Sequence, residues 1–345
     1  MSEIIPDPES QIVAPYSPEH TRNGEADIIQ LEDGSLLLAY GRWNGGQDDF
    51  DSAEVWCKTS TDGGKTWGND RVLVSNEGKV TTFSVSLLRL QSGEILMAYL
   101  VKNSTDDCSI FFRKSADECK TWSQRIKYEI PPEYSGYTGM NNNRLIQLKS
   151  GRIVGAAFDG AYVKGDPMIS FTIYSDDNGD TWAKSNDIDI RVIDPANRHG
   201  AQEPCVIELK DGRMMMIIRN NLGCLGRSYS TDRGETWSRF EQVKELEASL
   251  SPASIVRLPQ TGDLLLIWNN SKTMDRRPLT SAISKDDGAT WENFRVVDDG
   301  EVTFWGFAYI SITPVNDKIL LTYWNGDAAN LKLTSIDYRW FYQKG

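Results

Sequence analysis

The stretch STDGGKTW, residues 60–67, sets a carboxylate, two glycines, three hydroxyls and a tryptophan side by side. By composition it resembles a loop built for chemistry. It recurs, however, as SADECKTW at 115–122, SDDNGDTW at 175–182, STDRGETW at 230–237 and SKDDGATW at 284–291. The starting serines lie 55, 60, 55 and 54 residues apart. One more step reaches LTSIDYRWF at 333–341, which keeps only Ser335 and Asp337 of the pattern. A fixed period of this size marks an architecture of stacked units.

Each unit carries a second landmark upstream of its serine motif. Two apolar runs flank a tight turn, as in ADIIQLEDGSLLLAY at 26–40, SVSLLRLQSGEILMAYL at 84–100 and PCVIELKDGRMMMIIR at 204–219. Short runs rich in Ile, Leu and Val joined by Asp-Gly or Ser-Gly read as hairpins. No helical pattern intervenes. The unit is therefore strand A, turn, strand B, loop, strand C, serine motif, strand D. Six such units predict an all-β, six-bladed β-propeller with four-stranded antiparallel blades. Residues 1–345 form one domain in this reading, and the segment 1–20 helps to close the ring. The recurrent motif becomes the C–D turn. Its Asp ties down backbone N–H groups, its glycine supplies a positive φ, and its tryptophan packs between blades.

The chain has 345 residues, 39% of them hydrophobic, which is ample for a buried core. Its formal net charge of −12 disfavours nucleic acid and anionic membranes as partners. The five cysteines are odd in number and form no CxxC pair, so neither a disulfide framework nor a metal site is expected, and no cofactor is called for. The opening MSEIIPDPES has no basic region and no apolar run, which predicts a cytoplasmic protein unless a leader has been removed. The expected partner is a glycan or small sugar; the oligomeric state is left open.

The strand order also separates two faces. The serine motifs lie on one; the starts of the A strands and the B–C loops lie on the other. The second face gathers Arg22, Glu25, Arg42, Asp49 and Asp51 from blade 1, Lys102 from blade 2 and Arg144 from blade 3. Blade 4 adds His199, Glu203 and Arg219; blade 6 adds Trp305 and Tyr309. Arginine forks suit carboxylates. Paired carboxyls suit acid/base work on a glycosidic bond. Trp43, Trp305 and Tyr309 suit stacking on sugar faces. The plainer alternatives are solvated Asp-rich turns, arginines that only neutralise them, an ordinary inner-strand tyrosine and a surface histidine.

The S-x-D-x-G-x-T-W motifs at 60–67, 175–182, 230–237 and 284–291 resemble the Asp boxes of the sialidase (BNR-repeat) superfamily, with Cys119 replacing the glycine in the copy at 115–122. The resemblance covers nearly the whole chain. It implies a six-bladed propeller and an exo-glycosidase that removes terminal sialic acid with retention. It also implies a tyrosine nucleophile helped by a glutamate, an aspartate acid/base and three arginines around the substrate carboxylate. Tyr309 in AYIS matches the tyrosine, Glu203 its partner, and Asp49 or Asp51 the acid. Arg22 is a displaced candidate for the first arginine, because ArgAsnGlyGluAlaAsp stands where the family has Arg-Ile-Pro. Arg144 and Arg219 come from suitable loops. An inverting glycosidase in which Glu203 or His199 activates water, a non-catalytic glycan-binding propeller and a protein-binding scaffold are the alternatives.

Overall fold

The computed structural model describes residues 5–134, 136–160, 167–273, 275–301, 306–326 and 329–343. Six antiparallel sheets follow one another along the chain. Their inner strands are His20–Gln30, Thr81–Arg89, the pair Thr138–Gly139 and Leu145–Gln147, then Gln202–Glu208, Ser254–Arg257 and Phe307–Val315. In blades 1 to 5 the next three strands follow in sequence order. In blade 6 the outermost strand comes from the other end of the chain. Glu9–Ala14 pairs with Asn330–Asp337, in register Glu9↔Ser335 to Ile12↔Lys332.

The second strand of each blade, such as Ile95–Ser104, is a nearly continuous apolar run because both of its faces are covered. The core is accordingly divided among the seams. Leu96, Phe112, Ile153 and Phe171 fill the seam between blades 2 and 3, and comparable clusters fill the other five. The motif tryptophans Trp67, Trp122, Trp182, Trp237 and Trp291 each pack at the seam with the preceding blade. The seam between blades 5 and 6 is served by Trp340, which stands five residues after Ser335 rather than seven. A short 3-10 helix, Tyr338–Tyr342, takes up the difference. The degenerate sixth copy thus keeps the packing function that its sequence had seemed to lose.

Each serine motif is closed by the same bonds. Ser60 Oγ donates to Asp62 Oδ1 at 2.8 Å and accepts from Gly64 N at 2.9 Å. Asp62 accepts from Thr66 N at 2.9 Å and Thr66 Oγ1 at 2.6 Å. The turn needs a left-handed residue at Gly64, φ 88°; Cys119 adopts φ 63° at the same place.

The other face is organised by bulges. The inner strands of blades 1, 2, 4 and 6 break register between Gly24 and Asp27, Phe83 and Ser86, Gln202 and Cys205, and Ala308 and Ser311. At each break one non-glycine residue has positive φ: Glu25 at 53°, Ser84 at 59°, Glu203 at 39° and Tyr309 at 57°. Asn143, at 57°, holds the corresponding place in blade 3. Such backbone is uncommon for side chains of this size, and it re-aims each one out of the ordinary in–out alternation.

The segment Asn141–Arg144 ties these strands together. Asn142 Nδ2 donates to Ala26 O at 2.8 Å and Tyr309 O at 3.0 Å. Asn143 donates to Asp27 Oδ1 at 2.9 Å and accepts from Ile312 N at 3.2 Å. Arg144 donates to Ala253 O at 2.8 Å and Ser254 Oγ at 3.1 Å, and its own N–H is held by Ser86 Oγ. Blade 3 is thereby bonded at the axis to blades 1, 2, 5 and 6.

Candidate active site

Arg22 enters from the inner strand of blade 1 and is 4% exposed. Its Nη2 donates to Glu25 Oε1 at 3.0 Å, and its Nη1 to Asp49 Oδ1 at 2.6 Å and Gln47 O at 3.2 Å. Trp43 and Trp324 stack near it, 4.1 and 4.9 Å from the guanidinium carbon. Asp49 belongs to the loop after strand Leu36–Asn44. That loop is anchored by Thr21 Oγ1 on Gly46 O and by Lys102 Nζ on Asp49 O, the latter at 2.9 Å. Lys102 is fully buried and lies 4.4 Å from the Phe50 ring, 5.0 Å from Phe83 and 5.4 Å from Tyr137. Burial opposes ionisation of Asp49. Arg22, Lys102 and Arg276 outweigh it and hold the carboxyl below the usual aspartate range. Glu25 behaves in the opposite way. Burial pushes its carboxyl up to about 7, with Asp49 and Glu203 adding to the rise and Arg22 and Ser84 opposing it.

Across the mouth, Glu203 is ion-paired with Arg219, from the end of strand Met214–Arg219. Tyr309 is partly buried and feels the charges of Glu203, Arg276, Asp49 and Arg219. Burial and the carboxylates raise its phenol well above the ordinary value, while the two arginines pull the other way. The phenol is therefore neutral until a base takes its proton, and Glu203 is the largest charge influence on it. Arg276 lies with its guanidinium carbon 5.8 Å from the Tyr309 ring centroid. Its backbone carbonyl accepts from Phe307 N at 2.9 Å, two residues before Tyr309. Gly306 makes that approach possible. Its φ is 59°, and a Cβ there would lie 2.6 Å from Arg276 O.

Of the residues expected from the sequence, Arg22, Glu25, Asp49, Glu203, Arg219 and Tyr309 share this cluster of mutual charge contacts. Others lie elsewhere. Asp51 accepts from Asp48 N at 2.8 Å and folds against Gly46, so it shapes its own loop. Arg42 donates to Asn23 and Asp70 and stacks near Tyr40 and Trp56, away from the mouth. Arg144 is spent on the axial bonds described above. His199 is exposed; its backbone carbonyl accepts from Gln202 Nε2 at 2.7 Å, and its ring has no hydrogen-bond partner among the described residues. Trp43 is fully buried against Arg22 and offers no face to a sugar. Trp305 lies outside the described residues. Arg276 was missed by the sequence reading. Its one signal was the pair Arg276-Arg277 in the B–C loop of blade 5, the loop that supplies Asp49 in blade 1.

The six-bladed propeller thus gathers a tyrosine, carboxyls and arginines at one mouth. The chain belongs to the family of BNR repeat-like domains, whose model matches residues 34–321. It is 26% identical over 324 residues to a sialidase of Bacteroides fragilis, covering 83% of this chain and 57% of that one. It is likewise 26% identical over 303 residues to a sialidase of Micromonospora viridifaciens, covering 79% of this chain and 45% of that protein. The chain thus spans about half the length of these curated relatives. The fold is shared with the intramolecular trans-sialidase of Ruminococcus gnavus, with TM-score 0.77, 15% identity, and coverage of 97% and 99% of the two chains.

Proposed function

We propose that this protein is a sialidase-like exo-glycosidase that removes a terminal acidic sugar, sialic acid foremost, with retention of configuration. The observation that carries this reading is the meeting of Tyr309, Glu203, Arg219 and Arg276 opposite the Arg22–Asp49 pair. Glu203 takes the phenol proton as Tyr309 attacks the anomeric carbon. A neutral nucleophile suits a carbon that bears a carboxylate, because an anionic one would be repelled. Arg22, Arg219 and Arg276 receive the sugar's carboxylate, and the last two also stabilise the developing phenolate. With the departing oxygen protonated from solvent, Asp49, at the acid's position by family resemblance, acts as a carboxylate, because Arg22 holds it ionised. It then deprotonates the water that hydrolyses the glycosyl-tyrosine.

The test is turnover of a panel of aryl glycosides that includes an aryl α-sialoside. Tyr309→Phe should lower kcat by about 10³-fold or more while leaving the circular dichroism and Tm unchanged. Full activity in that variant would remove the tyrosine mechanism. Failure of the wild type on every glycoside would remove the enzyme reading.

A further inference from the structure

Arg22 is an arginine whose edge is already taken. Recognition of a carboxylate by a guanidinium uses two N–H groups presented together. Here Glu25 Oε1 accepts from Nη2 at 3.0 Å and Asp49 Oδ1 from Nη1 at 2.6 Å. Trp43 and Trp324 stack on the group, and the residue is 4% exposed. Two carboxylates on one guanidinium leave these three groups one negative charge in excess, and the further cations that offset it, Lys102 and Arg276, act on Asp49. A substrate carboxylate on the same arginine would double that excess.

The two partners differ in how they are held. Asp49 is half exposed on a loop and is also supported by Lys102. Glu25 is buried, on the same strand as Arg22, at a bulge residue with φ 53°. Besides Arg22, the groups that act on it are Asp49 from its own blade, Ser84 from blade 2 and Glu203 from blade 4; Glu25 in turn acts on Cys108 of blade 2. Arg22 is the only cation in that set.

We propose that Glu25 is a built-in competitor for the substrate's carboxylate, holding the edge of Arg22 that an acidic sugar would take and surrendering it only when neutralised. Capture of an acidic sugar then carries a proton into the site. Near neutral pH the proton is at hand, because burial and the neighbouring carboxylates hold the Glu25 carboxyl at about 7. Asp49, held ionised, keeps its contact. The inference rests on the acidic-sugar reading above and makes that activity dependent on pH through a residue outside the expected nucleophile, base and acid.

The probe is 2-deoxy-2,3-dehydro-N-acetylneuraminic acid, with its uncharged methyl ester as control. Both are titrated calorimetrically into the wild type and Glu25→Gln between pH 6 and 8.5, in buffers of different ionisation enthalpy. In the wild type, binding of the acid should take up close to one proton at the upper end. Its affinity should fall by about tenfold per pH unit above the Glu25 transition. Glu25→Gln should abolish the uptake, flatten the slope and bind the acid about tenfold more tightly than the wild type one unit above that transition. The ester should show no slope in either protein. Glu25→Ser serves if the glutamine variant does not fold. Binding of the acid without proton uptake, or a slope that survives in the variant, overturns the role of Glu25 and leaves the acidic-sugar reading standing. Absence of binding to the wild type at every pH overturns both, and the glycoside panel then shows whether another sugar is turned over.

Discussion

At the scale of single residues, Asn142 has an importance that its chemistry does not advertise. It is fully buried, and its two N–H groups satisfy the carbonyls of Ala26 and Tyr309 in different blades. One of those carbonyls belongs to the proposed nucleophile and the other to the residue after Glu25. Asn142→Ala leaves both without that donor. A buried acceptor stripped of its partner costs about 1–3 kcal/mol. The variant should therefore lose that much stability in urea denaturation, with kcat falling more than KM rises because Tyr309 is no longer held. An unchanged urea midpoint would show that water replaces the amide without loss.

At the scale of the element, the Asp box is an electrostatic clasp. The hydroxyl and N–H groups of Thr66 and Thr121 hold the carboxyls of Asp62 and Asp117 at about 2. A carboxyl depressed in the folded state contributes stability that is present above its unfolded value and lost as pH falls through the folded one. The boxes should therefore weaken together between about pH 4 and pH 2. Glu25 and Asp27, both raised to about 7, act in the opposite sense, and their contribution is lost as pH rises from the ordinary carboxylate range toward 7. Thermal unfolding followed from pH 7 to pH 2 should show a steep drop only below pH 4. Replacing the box aspartates with asparagine should make that drop shallower. These elements were legible in the sequence because they repeat: period, hairpins and box spacing each point to the same strand order. Trp340 escaped because its copy is two residues shorter. Arg276 escaped because a B–C loop has no period, and what brings it to Tyr309 is a backbone contact at Gly306, invisible in composition. The bulges at Glu25, Glu203 and Tyr309 were equally hidden. A register break leaves no mark in an apolar run, yet it decides where those side chains point.

At the scale of the whole molecule, the ring is closed by strand Glu9–Ala14 on the edge of blade 6. Ser10 Oγ and Thr334 Oγ1 bond across that pair at 2.8 Å, and Gln11 Nε2 reaches Gly64 O at 2.8 Å in the Asp box of blade 1. The strand therefore couples blade 6 to the turn of blade 1. Removing residues 1–15 would bare the edge Asn330–Asp337, and bared edges pair with other chains. The truncated protein should lose more than about 3 kcal/mol, the scale of several buried contacts, and should form higher oligomers in size-exclusion chromatography. A monomer of unchanged Tm would show that the closure is dispensable. The bulges have a consequence of another kind. Each is a socket at a register break or gap in an inner strand, occupied by Glu25, Ser84, Asn143, Glu203 and Tyr309 in five of the blades, while blade 5 shows no such residue among its described positions. Because the blade behind a socket is packed by other residues, its occupant can be exchanged without rebuilding the wall. Divergence within such a scaffold can then proceed one socket at a time, with new chemistries written around the bore while the six seams stay as they are.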